Sequence, residues 1–186
     1  MQNMKPIGVF DSGIGGLSVL KHFIRYLPYE NYIYLGDTAR VPYGNKSADT
    51  VIRYSKECAS FLISKGVKLI VVACNSASSV ALEAIKEMSP VPVIGMIEPA
   101  SASALRETKS GVIGIIGTRA TIASNAYPNM IKTLANTEEI KIFMQACPLF
   151  VPIVEEGWLE HSATRLIAEE YLSEFRTNNI DTLILG

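Results

Sequence analysis

The sequence predicts an α/β protein made of two similar parallel-sheet domains, and three features of its patterning support this. Short apolar runs alternate with segments whose apolar residues recur at helical spacing. The apolar runs are continuous rather than alternating, which is typical of strands buried on both faces of a parallel sheet. A faint internal repeat aligns residues 8–12 with 114–118, and residues 69–74 with the run that ends at Gly186. We therefore expect the active site in a cleft between the strand ends of the two domains.

The first half of the chain predicts four strands and three helices. In the first helix, Leu17, Leu20, Phe23, Ile24 and Leu27 share one face, and the third strand is rich in β-branched residues. The strands are expected at residues 7–10, 32–35, 69–73 and 93–94, and the helices at 16–26, 51–65 and 78–88.

The second half repeats the alternation. Helices are expected at residues 98–107, 121–134, 149–156 and 162–175, and strands at 112–116, 140–144 and 182–185. Pro128 is expected to distort the helix that contains it. Because Pro-Val-Pro and Glu-Pro interrupt regular structure around residues 92–99, we place one domain at residues 1–97 and the second at 98–186.

Composition excludes several classes of protein. The chain has 186 residues, is 48% hydrophobic and carries a formal net charge of -1. Without a basic excess, we expect no nucleic-acid ligand. No apolar run is long enough to span a bilayer, and residues 1–6 lack the apolar part of a secretory signal, so we expect a cytoplasmic protein. The three cysteines form no C-x-x-C pair, which argues against a disulfide framework and a metal site.

A glycine-rich turn follows the first strand. It reads Asp11-Ser12-Gly13-Ile14-Gly15-Gly16, and its backbone N–H groups could face an anion. A dinucleotide-binding loop is one alternative, although the third glycine of that fingerprint is missing. A plain strand-to-helix turn capped by Ser12 is another. Asp11 is harder to explain as structure, since a buried carboxylate requires partners.

Cys74 ends an apolar strand directly before a helix. A helix N-terminus can lower the pKa of a thiol and favour the thiolate, and Asn75 and Ser76 add polar groups beside it. The alternative is an ordinary buried cysteine in a junction where Ser76 or Ser78 caps the helix. Cys58 lies mid-helix on an apolar face and is interpreted as a core residue.

Two further segments carry candidate ligand contacts. Pro42, Tyr43 and Gly44 follow the second strand, where loops of α/β sheets contact ligands, although they could also form a simple turn. In the second half, Thr118 aligns with Ser12 in the repeat and Thr121 follows it.

Cys147 and Glu155 are the remaining candidates in the second half. Cys147 precedes a helix, but the repeat does not place it opposite Cys74. Glu155 ends that helix, where an acid is mildly unfavourable, which favours a functional role for it.

Taken together and in this order, these motifs resemble those of the glutamate racemases, in the aspartate/glutamate racemase superfamily. The matching segments are Asp11 to Val19, Gly36-Asp37 with Pro42-Tyr43-Gly44, Ala73-Cys74-Asn75-Ser76, Ile97-Glu98-Pro99, and Cys147-Pro148 through Gly157. The resemblance covers essentially the whole chain. In the family, the last strand runs into Gly-Cys-Thr-His-Tyr-Pro, whereas this sequence ends at Gly186. On that resemblance, the second domain is expected to be incomplete and the 186-residue chain inactive.

The resemblance implies racemisation of L-glutamate to D-glutamate for peptidoglycan synthesis, by two cysteine bases and without a cofactor or metal. It assigns catalysis to Cys74 and Asp11, with Glu155 as an assisting candidate. The implied substrate-binding residues are Asp11, Ser12, Pro42, Tyr43, Gly44, Asn75, Ser76, Thr118 and Thr121. It implies glutamate as the partner molecule and is compatible with a homodimer. An aspartate racemase and a non-catalytic amino-acid-binding α/β module are the alternatives.

Overall fold

The computed structural model describes residues 5–135 and 139–186. Residues 1–4, part of the stretch in which no secretory signal is expected, lie outside the described residues. The strands are β1 (Ile7–Asp11), β2 (Tyr32–Gly36), β3 (Leu69–Val72), β4 (Val93–Gly95), β5 (Val112–Gly117), β6 (Lys141–Ala146) and β7 (Thr182–Leu185). The helices are α1 (Gly16–Tyr26), α2 (Ala48–Ser64), α3 (Asn75–Val80), α4 (Leu82–Met88), α5 (Ile97–Glu107), α6 (Arg119–Ala123), α7 (Ala126–Ala135), α8 (Phe150–Glu155) and α9 (Ser162–Thr177).

The chain divides into two compact units, Met1–Met96 and Ile97–Gly186. The first contains a parallel sheet in the order β2-β1-β3-β4. Successive residues of β1 serve opposite faces of this sheet: Val9 packs with apolar residues of α1, and Phe10 packs with those of α2. Both faces are covered, which explains why the strand sequences are continuously apolar.

The second unit contains a parallel sheet in the order β6-β5-β7. Its core joins Ile113 and Ile115 of β5 to Tyr127 and Ile131 of α7 and to Ile184 of β7. The predicted α/β fold with two parallel sheets is therefore confirmed. Among the residues that the structure describes, no helix has the length and apolarity needed to cross a membrane.

Two helices that the sequence predicts as continuous are each divided in the structure. The expected helix at residues 78–88 is replaced by α3 and α4, which meet at Ala81 with φ −116° and ψ −7°. The expected helix at 121–134 is replaced by α6 and α7, and Asn125 between them has φ 54°. The distortion expected from Pro128 takes the form of this break, which lies one turn before the proline, because its ring leaves no room for the carbonyl of Ser124 in a continuous helix. Pro128 lies in the first turn of α7, where a missing N–H removes no helical hydrogen bond.

The internal repeat is visible in strand order and register. In each unit, the first strand of the chain lies between the second and third, so β1 corresponds to β5 and β3 to β7. Ala73 N donates to Phe10 O at 2.9 Å, and Gly186 N donates to Ile116 O at 2.7 Å. Gly186 thus takes the position of Ala73, which immediately precedes Cys74.

The carboxylate of Asp181, which precedes β7, accepts several hydrogen bonds from the segment that leads into β5. Asp181 accepts hydrogen bonds from Thr108 Oγ1 at 2.7 Å, Lys109 N at 2.8 Å, and Ser110 N and Oγ at 2.7 and 2.9 Å. These bonds, above all the one from Thr108, hold the pKa of Asp181 well below its usual range. A depressed folded-state pKa stabilises the fold above the unfolded pKa, and this contribution is lost as the pH falls.

We expect Asp181→Asn to lower the melting temperature near neutral pH, because the charged acceptor of these donors is lost. The difference from the unmodified chain should shrink as the pH falls below about 4, the unfolded pKa of aspartate. Thermal unfolding followed by circular dichroism at several pH values measures this. Glu170→Gln, at an exposed carboxylate of α9, is the control. A difference that stays constant with pH would contradict the account.

Candidate active site

The carboxyl edge of the first sheet gathers the polar residues that the sequence singles out. Asp11 is the last residue of β1 and lies opposite Gly36 in the register of β2. Cys74 follows β3 by two residues. Because the two strands are parallel neighbours, their carboxyl ends meet, and the structure brings the thiol of Cys74 to 3.4 Å from Ser12 Oγ.

Cys74 is the residue that caps α3. Its Sγ accepts a hydrogen bond from Ala77 N at 3.4 Å, and the thiol donates to Ser12 Oγ. The side chain is 5% exposed. The alternative in which Ser76 or Ser78 caps this helix is wrong: Ser78 Oγ instead donates to Val72 O at 2.7 Å and accepts from Met96 N at 3.1 Å.

The lowering of the thiol pKa expected from the helix N-terminus is present, through Ala77 N, but it is outweighed. Burial raises the pKa of Cys74, and the negative charge of Asp11 raises it further; the hydrogen bonds from Ser12 and Ala77 lower it by less. Helix α3 has only six residues, so its terminal field is weak compared with the loss of solvent around the sulfur. The surroundings of Cys74 therefore favour the thiol over the thiolate.

Asp11 is 7% exposed and accepts a hydrogen bond from Gly13 N at 2.9 Å. The turn around it is closely packed. A Cβ on Gly16 would lie 2.6 Å from Asp11 Cβ, and a Cβ on Gly36 would lie 2.8 Å from Gly13 O. These two glycines are needed for close approach. No side chain caps α1, so the interpretation of Ser12 as a helix cap is wrong: its hydroxyl bonds with Cys74 instead.

Tyr34 is a site residue that the sequence reasoning missed. It lies on β2, and its hydroxyl donates to Gly13 O at 3.0 Å. Burial, followed by the charges of Asp11 and Cys74, raises the pKa of Tyr34 to about 12. The alternation of side chains along β2 could have indicated that Tyr34 belongs to the site. Tyr34 lies opposite Val9, so its side chain is on the same sheet face as that of Asp11.

The Pro42-Tyr43-Gly44 segment follows the loop after β2, and Tyr43 is 1% exposed. Its hydroxyl donates to Asp37 Oδ2, which Arg40 Nε also binds at 2.6 Å. The side chain of Tyr43 therefore anchors the loop. Only the backbone of Tyr43 remains available to contact a ligand.

Arg40 extends this anchor to α2. Its guanidinium also pairs with Glu57 and lies over the ring of Tyr54 at 4.2 Å. Cys58, which is buried as expected, lies 3.9 Å from both Arg40 Nη2 and the Tyr43 hydroxyl.

We expect Tyr43→Phe to destabilise the chain by about 2 kcal/mol, because a buried hydrogen bond to a carboxylate is lost. The midpoint and slope of urea unfolding measure this. Tyr54→Phe is a matched control, since its ring contacts Tyr43 and Arg40 while no hydrogen bond of its hydroxyl is seen in the described part of the chain. Equal losses for both variants would argue against the Asp37 bond as the cause.

In the second unit, Thr118 occupies the place of Ser12 in the repeat but has a different role. It caps α6, with Oγ1 accepting from Thr121 N at 3.2 Å. Thr121 is buried, with its hydroxyl 3.1 Å from that of Thr118. Thr118 is partly exposed, so it is the more accessible of the two.

Cys147 and Glu155 are not placed like Cys74. Cys147 N donates to Gly117 O at 2.8 Å, just as Asp37 N donates to Asp11 O at 2.9 Å. Cys147 therefore corresponds to Asp37 in the repeat. Its thiol is buried, and burial raises its pKa. Glu155 is exposed at the last residue of α8.

The N-terminal turn of α3 completes the set of candidates. Asn75 is partly exposed and Ser76 is buried. Within residues 5–135 and 139–186, the structure brings together no group of three or more His, Cys, Asp or Glu side chains able to hold a metal ion.

Comparison with known proteins identifies related chains. A sequence model of the family described as Asp/Glu/Hydantoin racemase matches residues 7–186. A protein of Geobacter metallireducens named glutamate racemase is 53% identical over 182 residues, which cover 98% of this chain and 67% of the relative.

Solved structures give the same result. Glutamate racemase of Francisella tularensis, in complex with D-glutamate, matches with a TM-score of 0.90 and 43% identity, over 98% of this chain and 68% of that one. Glutamate racemase isoform RacE1 of Bacillus anthracis matches with a TM-score of 0.93 and 40% identity, over the same shares of the two chains. The chain thus spans about two thirds of the length of these relatives.

Proposed function

The chain belongs to the Asp/Glu/Hydantoin racemase family, and we propose that it interconverts L- and D-glutamate without a cofactor, using thiols as its two bases. The observation that carries this proposal is the environment of Cys74, a thiol at a strand end that lies beside the hydroxyl of Ser12 and the charge of Asp11. Relatives named glutamate racemase support the substrate, and one of them was solved with D-glutamate. From the same family membership we infer that the D-glutamate is used in peptidoglycan synthesis.

Racemisation requires one base on each face of the α-carbon. One thiolate removes the α-proton, and a thiol on the opposite face delivers another, so the electron pair of the broken C–H bond forms the new one. We assign Cys74 as one of these bases. The other is the cysteine of the family's second motif, whose place in the repeat is that of Cys74. Cys147 is not assigned, because it corresponds to Asp37.

Substrate binding supplies the charge that the thiolate needs. Asp11 raises the pKa of Cys74, so an ammonium group placed against Asp11 offsets that effect and lowers the thiol pKa. Cys74 is then easier to ionise when an amino acid is bound than in its absence. Asp11 is accordingly the group that holds the substrate ammonium and tunes the base.

The carbanion-like state formed after proton removal needs fixed donors in a site that excludes water. We propose that these donors and the remaining substrate contacts come from Ser12, Pro42, Tyr43, Gly44, Asn75, Ser76, Thr118 and Thr121. Tyr43 and Thr121 contribute through their backbone, because their side chains are buried. Glu155 is retained as an assisting candidate for the opposite face.

A chimera tests this function. The 186 residues are joined to the part of the Geobacter metallireducens relative that follows the equivalent of Gly186. We expect the chimera to convert L-glutamate to D-glutamate, followed by circular dichroism, and the 186-residue polypeptide alone not to do so. The reason is that Cys58 is buried against Tyr43 in the first unit, and Cys147 corresponds in the repeat to Asp37 rather than to Cys74.

The same chimera decides between the alternatives. We expect kcat/KM for aspartate to be about 10- to 200-fold lower than for glutamate, the range that one methylene accounts for. A preference for aspartate would make the protein an aspartate racemase. Binding of glutamate with no exchange of its α-proton in deuterated solvent would make it a binding module, and the proposed function would then be wrong.

A further inference from the structure

A single residue, Gly13, joins Tyr34 to Asp11 through its backbone N–H and C=O. Gly13 N donates to Asp11 Oδ2 at 2.9 Å, and Gly13 O accepts from the Tyr34 hydroxyl at 3.0 Å. Gly13 is buried, so water does not replace either bond easily. Between Asp11 and Gly13 lies Ser12, whose Oγ accepts from the thiol of Cys74. The turn that carries Asp11 and Ser12 is therefore fixed at Gly13 by a hydrogen bond from the Tyr34 hydroxyl.

Tyr34 is itself held firmly. It pairs in register with Val9, and its ring packs against the cluster formed by Val9, Val71 and Ala73. A Cβ on Gly16 would come within 3.1 Å of the Tyr34 hydroxyl, so helix α1 leaves this group little room. The phenol cannot swing away without disturbing strand β2 or the start of α1.

The phenol also keeps its proton under assay conditions. Burial, together with the charges of Asp11 and Cys74, raises the pKa of Tyr34 to about 12. It remains a hydrogen-bond donor at neutral pH and stays uncharged next to the two groups that the reaction uses. An ionised phenolate would oppose both the carboxylate and the thiolate.

We propose that Tyr34 is a positioning residue of the reaction, which acts through Gly13 to keep Ser12 beside the thiol of Cys74. Its importance for turnover rests on the proposed function, whereas its effect on the thiol does not. The backbone of Asp11 is held independently by β1, since its carbonyl accepts from Asp37 N at 2.9 Å. When the Tyr34 bond is removed, Gly13 is held only by the Asp11 carboxylate, so the turn loosens, Ser12 moves, and the Cys74 thiolate loses the hydroxyl as a donor.

The decisive comparison is Tyr34→Phe against Tyr32→Phe in the 186-residue chain. Tyr32 lies two residues earlier on the same strand, and its hydroxyl donates to Phe23 O at 3.1 Å and Leu27 O at 2.9 Å, at the end of α1 away from Cys74. The rate of iodoacetamide alkylation at Cys74 is measured against pH by peptide mass spectrometry. This separates Cys74 from the other two thiols.

We expect Tyr34→Phe to raise the apparent pKa for alkylation of Cys74 by about 0.5–1 pH unit, the effect of one hydrogen bond to the thiolate. Tyr32→Phe should lower the melting temperature and leave this pKa unchanged. An unchanged pKa in Tyr34→Phe, or equal shifts in both variants, would overturn the proposal. Either result would mean that the phenol only stabilises the fold.

Turnover provides a second readout in the chimera. We expect Tyr34→Phe to lower kcat for glutamate about tenfold, with a smaller change in KM, because a misplaced turn affects the reacting geometry more than substrate capture. An unmodified chimera that fails to racemise would refute the proposed function, yet the alkylation comparison would still decide the role of Tyr34. A full-rate Tyr34→Phe chimera would refute the positioning role in catalysis.

Discussion

Replacement of Cys74 by alanine in the chimera is expected to reduce racemisation of glutamate by on the order of 10³-fold or more, the contribution of a positioned acid–base group. Ser12 and Ala77 N interact with the sulfur, and neither is a base at neutral pH. Circular dichroism in both reaction directions measures the loss.

Cys147→Ala is the matched control for this experiment. Cys147 is as deeply buried as Cys74, and burial raises its pKa in the same direction, but Asp11 does not contribute to that rise. We expect this variant to racemise glutamate at close to the normal rate. If Cys74→Ala still racemised glutamate and Cys147→Ala did not, the base assigned to Cys74 would instead be Cys147 of the second unit.

Asp11→Asn is expected to have two opposite effects on the site. The apparent pKa for alkylation of Cys74 should fall, because the removed negative charge raises it. At the same time, kcat/KM for glutamate should fall on the order of 100-fold, because truncating one partner of a buried charge pair costs about 2–5 kcal/mol. Because unfolding would also expose Cys74 and lower its pKa, thermal unfolding of the Asp11→Asn variant is measured alongside to show that it is folded.

Asp49→Asn serves as the control, since Asp49 is an exposed carboxylate in the first turn of α2. We expect neither the alkylation profile of Cys74 nor the turnover of glutamate to change. If Asp11→Asn raised the thiol pKa, the carboxylate would not be acting through its charge. If it left kcat/KM unchanged, Asp11 would not hold the substrate ammonium.

The fold could be predicted from the sequence because its strongest signals are local. Continuous apolar strands are dictated by a sheet covered on both faces. The predicted apolar stripe of α1 is only partly correct: Leu20 and Phe23 pack on the sheet, whereas the other three members, Leu17, Ile24 and Leu27, are exposed. The break at Ala81 was missed because this residue is neither a glycine nor a proline, whereas Pro128 indicated the break at Asn125. Tertiary packing, rather than local propensity, sets the conformation at Ala81.

The site was predicted less completely, because side-chain partners depend on residues distant in the chain. The juxtaposition of Ser12 and Cys74 is a contact across 62 positions that the motifs could only suggest. The contact between Tyr34 and Gly13 and the burial of Tyr43 require the actual register of the sheet. The pKa of Cys74 depends on how far the sulfur is removed from water, which a strand-to-helix pattern does not report.

The measurement that tests the role of Cys74 most directly is the fate of the α-proton during early turnover of L-glutamate by the chimera in deuterated water. Two thiol bases predict that every D-glutamate formed carries deuterium at Cα, while unreacted L-glutamate keeps its proton and Cys74→Ala forms no product. Mass spectrometry of the separated enantiomers reports both. D-Glutamate that retains the original proton, or deuterated product from Cys74→Ala, would contradict proton removal by this thiol.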